Sequence, residues 1–312
     1  MVTLDEIVAA RDRIRAIAKV TPLIDASTFA RRPLWLKCEG LQPGGAFKIR
    51  GAYNMVAQLT DDQRRRGVIT YSSGNHGQAV AIAASALGAP AVVVMPTTAP
   101  AIKVEGAKKF GAEVIFAGTT SLHRRARAEE EAAARDLTMV PPFDHEWIIA
   151  GQGTLGLEIL EQKPDVATIL VPIGGGGLVS GVAAAVKQSR GDVHVIGIEP
   201  SGADGMRRSV EAGEVRTLET SKSIADGLMA VRPGDLNFAH VRRFVDRIDT
   251  VEDSEIAGAV RWLYERAQIV AEPSGAAPVA AAIRATSSYA APVVAIISGG
   301  NLGPEDLAKY MT

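Results

Sequence analysis

A chain of 312 residues has room for about two domains and a sizeable buried core. A formal net charge of −1 excludes a general electrostatic pull toward nucleic acid or an anionic membrane. The single cysteine, Cys38, excludes an intrachain disulfide and suits the reducing cytoplasm.

The opening run MVTLDEIVAARDRIRAIAKV carries charges throughout and reads as an amphipathic helix, not a signal peptide. LWLKCEG reads as a strand, which makes Cys38 a packed small residue rather than a nucleophile. Next comes LQPGGAFKIRGAYN, residues 41–54, where Lys48 follows two glycines and Phe47 at the mouth of a turn. A lysine in that position asks for a chemical role.

From Gly67 the chain repeats strand, turn and helix. VITYS is a β-branched run ending at SGN, and HGQAVAIAASALG has helical periodicity with a glycine stop. APAVVVMP is a buried strand, AIKVEGAKKFGA a short helix, EVIFAG a strand, and SLHRRARAEEEAAARD a charged, solvated helix. A second series runs TILVPI, GGGG, LVSGVAAAVKQS, VHVIGIEP, then the long helix VEDSEIAGAVRWLYERAQIV and the final strand PVVAIIS. Continuous apolar strands alternating with helices predict parallel sheets covered on both faces, in two α/β units. The longest apolar tract is interrupted by Arg284, Ser287, Ser288 and Pro292 and does not span a bilayer.

Three strand ends carry glycine-rich turns, and ligands of such sheets sit beyond the carboxyl ends of strands. In VPIGGGGLVSG, Gly174, Gly175, Gly176 and Gly177 stand between a buried strand and a helix start, which suits a phosphate. The dinucleotide fingerprint fails, because position 180 is Ser180, and no G-K-[ST] occurs. In YSSGNHGQAVA, Ser72, Ser73, Gly74, Asn75 and His76 gather hydroxyls, an amide and a helix N-terminus that suit a carboxylate or a cofactor oxygen. ISGGN, Ser298 to Asn301, is a third such turn. Together they describe a phosphate-bearing group, an anion and a lysine amine between them. A partly desolvated lysine forms a Schiff base with an aldehyde, and pyridoxal 5'-phosphate has that aldehyde and that phosphate. Phe47 would lie against its ring.

Over nearly its whole length the chain resembles the fold type II pyridoxal-phosphate enzymes, in particular serine/threonine dehydratases (ammonia-lyases) and serine racemase. GAFKIRGAYN, SSGNHGQAVA, AGQGT, VPIGGGGLVSG, ADG and SGGN occur in that family's order and spacing. Ile49 after Lys48 matches the dehydratases rather than cysteine-synthase-like or threonine-synthase-like enzymes, which carry Asp there. The resemblance implies a tryptophan synthase β-like fold: two three-layer α/β domains with mainly parallel sheets and the cofactor in the cleft between them. Residues 1–66 and 145–312 would form the large cofactor-binding domain, and 67–144 a small mobile one.

It further implies that Lys48 holds the cofactor and then removes the substrate α-proton, with Ser73 acting on the opposite face. Phe47 and Asn75 would contact the ring and its 3'-oxygen, Gly174 to Gly177 the phosphate, Gly227 the ring edge, and Ser298 the pyridine nitrogen. Ser72, Ser73, Gly74, Asn75 and His76 would receive the substrate carboxylate. The reaction implied is β-elimination from an L-β-hydroxyamino acid, such as threonine or serine, to a 2-oxo acid and ammonia, in a homodimer. Rivals stand beside it: a serine or hydroxyaspartate racemase/dehydratase, a dehydratase for another 3-hydroxyamino acid, and a non-catalytic phosphate-ligand module that leaves Lys48 unexplained. Ala46 replaces the serine common before Phe-Lys. Metal-binding members carry acidic residues around EPSGADG; Glu199 and the Ala203 carbonyl match, but Gly205 stands where a second acidic ligand is expected and Asp204 is one position off, so no metal is assigned. The chain ends shortly after SGGN, so isoleucine feedback through an appended domain is not expected.

Overall fold

A computed structural model describes residues 1–72, 74–99, 101–284 and 288–311. Its first part carries α1 (Leu4–Ile14), β1 (Leu23–Asp25), α2 (Ser27–Ala30), β2 (Leu34–Cys38), α3 (Lys48–Val56) and α4 (Asp61–Arg66). Then come β3 (Val68–Tyr71), α5 (Asn75–Ala86), β4 (Ala91–Met95), α6 (Ala101–Lys108), β5 (Glu113–Phe116), α7 (Ser121–Arg135) and β6 (Thr138–Met139). They are followed by α8 (Glu146–Gln162), β7 (Thr168–Pro172), α9 (Gly177–Ser189), β8 (His194–Pro200), α10 (Gly205–Ala212), α11 (Asp235–Phe244) and β9 (Arg247–Val251). The chain closes on α12 (Asp253–Ala267), α13 (Pro273–Ile283), β10 (Val293–Ile297) and α14 (Pro304–Ala308).

The strands form two sheets. One has six strands in the order β1-β2-β10-β7-β8-β9, parallel except for the edge strand β1, and the other has four parallel strands in the order β5-β4-β3-β6. Alternating residues of each strand serve opposite faces, so the apolar runs are continuous for a physical reason. In the larger sheet Leu170, Ile196, Ile198 and Ala295 pack with α12 and α13, whereas Ile169, Val171, Val195 and Val294 pack with α8 and α9. In the smaller, Val68, Val93 and Met95 face α3 and α5, and Ile69, Val92 and Val94 face α7. The result is the pair of three-layer α/β units expected. No described helix is long and apolar enough to cross a membrane.

Helix α3 joins the two units. Its Ile49, Ala52, Met55 and Val56 belong to the core of the four-stranded unit. Its Arg50 is buried elsewhere, bonding Glu39 at 2.7 Å, Glu158 at 2.8 Å and Thr154 at 3.2 Å, while Glu158 also meets buried Lys37. Helices α3 and α8 come unusually close. A Cβ on Gly151 would stand 2.6 Å from the Arg50 carbonyl oxygen, so only glycine lets these backbones meet.

Candidate active site

Lys48 is the first residue of α3, and the turn before it is built by geometry only glycine tolerates. Gly44 and Gly45 have φ of 80° and 71°. The Phe47 amide donates to the Ser298 carbonyl at 3.0 Å, and Ala46 pairs with Gly299, so the final strand's end pins the lysine. The Lys48 ammonium donates to the Pro142 carbonyl at 2.9 Å and lies 5.1 Å from the Phe47 ring centroid. Burial pushes its pKa down to about 8, against the opposing pull of the Glu272 carboxylate.

That amine opens on a cavity of about 380 Å³ between the two units. Gly174 to Gly177 form one wall, and Gly176 sits at φ 104°. Among the described residues the amides of Gly174, Gly175 and Gly176, which lie in neither strand nor helix, have no protein acceptor. A Cβ on Gly175 would collide with the Phe143 ring, and one on Gly174 would stand 2.9 Å from the Gly227 carbonyl oxygen. Free amides at the start of the 13-residue α9 are what a phosphate needs, and the cradle closes if any side chain is added. The Ser298 hydroxyl, nearly buried on the same wall, likewise has no protein partner among the described residues. These groups fit pyridoxal phosphate.

The facing wall is the turn into α5. Ser72 Oγ accepts from the Gly74 amide at 3.1 Å, and the leading amides of α5, at Asn75 and His76, lack intrahelical acceptors. The His76 ring is turned away from an anion's needs. Its Nε2 donates to the Val140 carbonyl at 3.1 Å, Nδ1 is left as a buried, unpartnered acceptor, and burial, then Lys48, push its pKa down to about 3. What His76 offers a carboxylate is its amide. Gly227 donates its amide to Ser274 Oγ at 2.9 Å at the cavity edge. Ser73 lies outside the described residues. Near Glu199, the carboxylate accepts the Met206 and Arg207 amides at 2.9 and 2.8 Å, and Asp204 pairs with Arg207 and Arg208, so both acids are engaged by the chain's own donors.

Three features of the cavity escape sequence reading. Residues 142–144 tie its parts together: Pro142 holds Lys48, Phe143 backs the glycines, and Asp144 accepts the first amides of α11 at 3.0–3.3 Å. Nothing in PPFDH signals this except its place after a strand. Lys103 of α6 crosses the cleft to Asp226 at 2.6 Å. Glu272, buried, accepts from Asn75 Nδ2 at 2.6 Å; in VAEPSG it reads as an ordinary helix cap before Pro273. Burial and the Asp226 charge raise its pKa to about 7.

A family model described as "Pyridoxal-phosphate dependent enzyme" matches residues 14–299. An L-threonine ammonia-lyase of Thermotoga maritima is 40% identical over 308 residues, covering 97% of this chain and 76% of that protein. A serine racemase of Oryza sativa subsp. indica is 40% identical over 302 residues, covering 94% and 89% of the two chains. The solved structure of maize serine racemase superposes with a TM-score of 0.94 at 38% identity, covering 99% of this chain and 97% of that one.

Proposed function

The chain belongs to the pyridoxal-phosphate dependent enzymes, and we propose that within them it removes the β-hydroxyl of an L-β-hydroxyamino acid such as threonine, releasing a 2-oxo acid and ammonia. The observation that carries this reading is Lys48, a desolvated amine facing a cradle of unused glycine amides across one cavity. Bound pyridoxal phosphate supplies an aldehyde for the substrate's amino group and an electron sink that acidifies its Cα–H.

The chain's own groups do the rest. With a pKa of about 8, part of Lys48 is neutral at physiological pH, so its Nζ would hold the cofactor's aldehyde and would be the base that takes the substrate's Cα proton. Gly174 to Gly177 and the N-terminus of α9 would hold the phosphate, Phe47 would lie against the ring, and Gly227 would line its edge. Asn75 would donate to the ring oxygen. Ser298 would serve the ring nitrogen, where a neutral hydroxyl stabilises positive charge less than a carboxylate would, favouring elimination over transamination. Ser72, Ser73 and the amides of Gly74, Asn75 and His76 receive the substrate carboxylate, supported by the orphan amides of α5.

Residues 67–144 act as a small unit that closes on the remainder, with the Lys103–Asp226 and Asn75–Glu272 contacts forming across the cleft as it does. Serine is a second substrate, the assembly is a homodimer, and the compartment is the cytoplasm, in keeping with the lone buried Cys38. The serine racemase relatives favour one further reading, proton return on the opposite face through Ser73, seen as D-serine formation. The test is Lys48→Ala with borohydride reduction of the wild type. Elimination should vanish in the variant and the reduced label should map to Lys48; near-normal turnover, or a label elsewhere, removes the assignment.

A further inference from the structure

Four polar groups run in series along the cleft, and their direction is fixed from one end. The Gly44 carbonyl can only accept, so Asn301 Nδ2 donates to it at 2.8 Å. The same nitrogen donates to Asn75 Oδ1 at 2.9 Å. Asn75 is therefore oriented with its oxygen toward Asn301 and its nitrogen toward Glu272, which accepts at 2.6 Å. An amide nitrogen has two hydrogens, and among the described residues only one of them is used.

We propose that Glu272 is a positioning residue for the cofactor: by accepting from Asn75 it fixes that side chain as a hydrogen-bond donor toward an anionic oxygen of the bound ring. Asn301 holds the oxygen end of Asn75 and Glu272 the nitrogen end, so without Glu272 the carboxamide is held at one end only and its second N–H loses a fixed aim at the ring oxygen. The position is tightly held. A Cβ on Gly299 would collide with Glu272 Oε1, while the Glu272 amide donates to the Gly299 carbonyl at 3.2 Å and its carbonyl receives Gly275 and Ala276 at the start of α13. Asn75 belongs to the four-stranded unit and Glu272 and Asn301 to the six-stranded one, so the donor is oriented only when the units meet. The charged and titratable groups around Glu272 are Lys48 from α3, Lys103 from α6 and Asp226 from the facing turn, with His76 of α5 behind Lys48. Burial and the Asp226 charge raise the carboxyl's pKa to about 7, so at that pH it accepts from Asn75 with, on average, less than a full negative charge beside the ring oxygen.

This inference rests on the cavity being the pyridoxal phosphate site, and one experiment separates the two. Full-length protein is stripped of cofactor and titrated with pyridoxal phosphate as wild type, Glu272→Ala and Glu272→Gln, following fluorescence for Kd and visible absorption across pH. Glu272→Ala is expected to raise Kd about tenfold, equivalent to about 1.4 kcal/mol. Glu272→Gln, whose amide oxygen still accepts, should stay within about threefold of wild type, yet lose any absorption change that titrates near pH 7. A rise below fivefold in Glu272→Ala, or equal weakening in both variants, overturns the proposal. Should Glu272→Ala show no cooperative melting transition, Glu272→Asp is read against the same threshold, because it withdraws the oxygen from Asn75. Borohydride label on Lys48 in every variant confines a negative result to Glu272; label elsewhere would instead fail the reading of the site.

Discussion

Replacing Lys48 by methionine should abolish elimination and at the same time stabilise the cofactor-free protein. Burial lowers the lysine's pKa from 10.5 to about 8, and each unit is worth about 1.4 kcal/mol, so charging it in the folded state costs about 3 kcal/mol at neutral pH. The variant also loses the bond to the Pro142 carbonyl and leaves Glu272 without a facing ammonium, at about 1 kcal/mol for the hydrogen bond. A net gain of about 1–2 kcal/mol remains. Its pH dependence has a defined sign. Between pH 8 and 10.5 the unfolded chain holds a proton that the folded wild type has released, so wild-type stability rises through that window and the variant's advantage disappears. Urea unfolding of both cofactor-free proteins at pH 7, 8.5 and 10.5 measures this. A methionine variant less stable than wild type at pH 7, or a difference that ignores pH, would refute the claim that this amine is kept reactive by desolvation.

Other outcomes follow from the same geometry. Gly175→Ala drives a methyl into the Phe143 ring and should raise the pyridoxal phosphate Kd more than tenfold, with partial recovery in the Gly175→Ala, Phe143→Ala double variant; an unchanged Kd in the single variant contradicts the cradle. Arg50→Ala leaves Glu39 and Glu158 buried without their shared cation, a loss of roughly 3–5 kcal/mol that melting should report as a fall of several degrees. Lys103→Ala removes a half-exposed cross-cleft pair worth at most about 1 kcal/mol. Its KM for substrate should rise a few-fold with kcat nearly unchanged; a large fall in kcat instead would place Lys103 in the chemistry.

What sequence reading recovers, and what it loses, follows from how each feature is encoded. The turn before Lys48 and the glycines at 174–177 are legible because φ above zero and free amides at a helix start are met by few residue types, and the SGGN turn because close packing leaves no room for a Cβ at Gly299. The covered parallel sheets are legible because strands buried on both faces have unbroken apolar runs. The insertion of β10 between β2 and β7 is not, since β10 lies some 255 residues from β2 and its neighbours are chosen by tertiary packing. Helix α8 hides behind its glycines: Gly151, Gly153 and Gly156 look like helix breakers but let α3 and α9 approach its backbone. His76 looks like a binding residue and presents only its amide, because a buried ring needs a hydrogen-bond partner and Val140 provides one. Glu272 is lost for the converse reason, as a carboxylate before a proline is the ordinary start of a helix.

The most direct test of the central claim is 2-oxo acid release by the purified, pyridoxal-phosphate-loaded protein, offered L-threonine, L-serine and the 3-hydroxyaspartate isomers in parallel. Release of the corresponding 2-oxo acid with stoichiometric ammonia from at least one of them, lost in Lys48→Ala, is the result predicted. Full cofactor occupancy with no 2-oxo acid from any of them would contradict it.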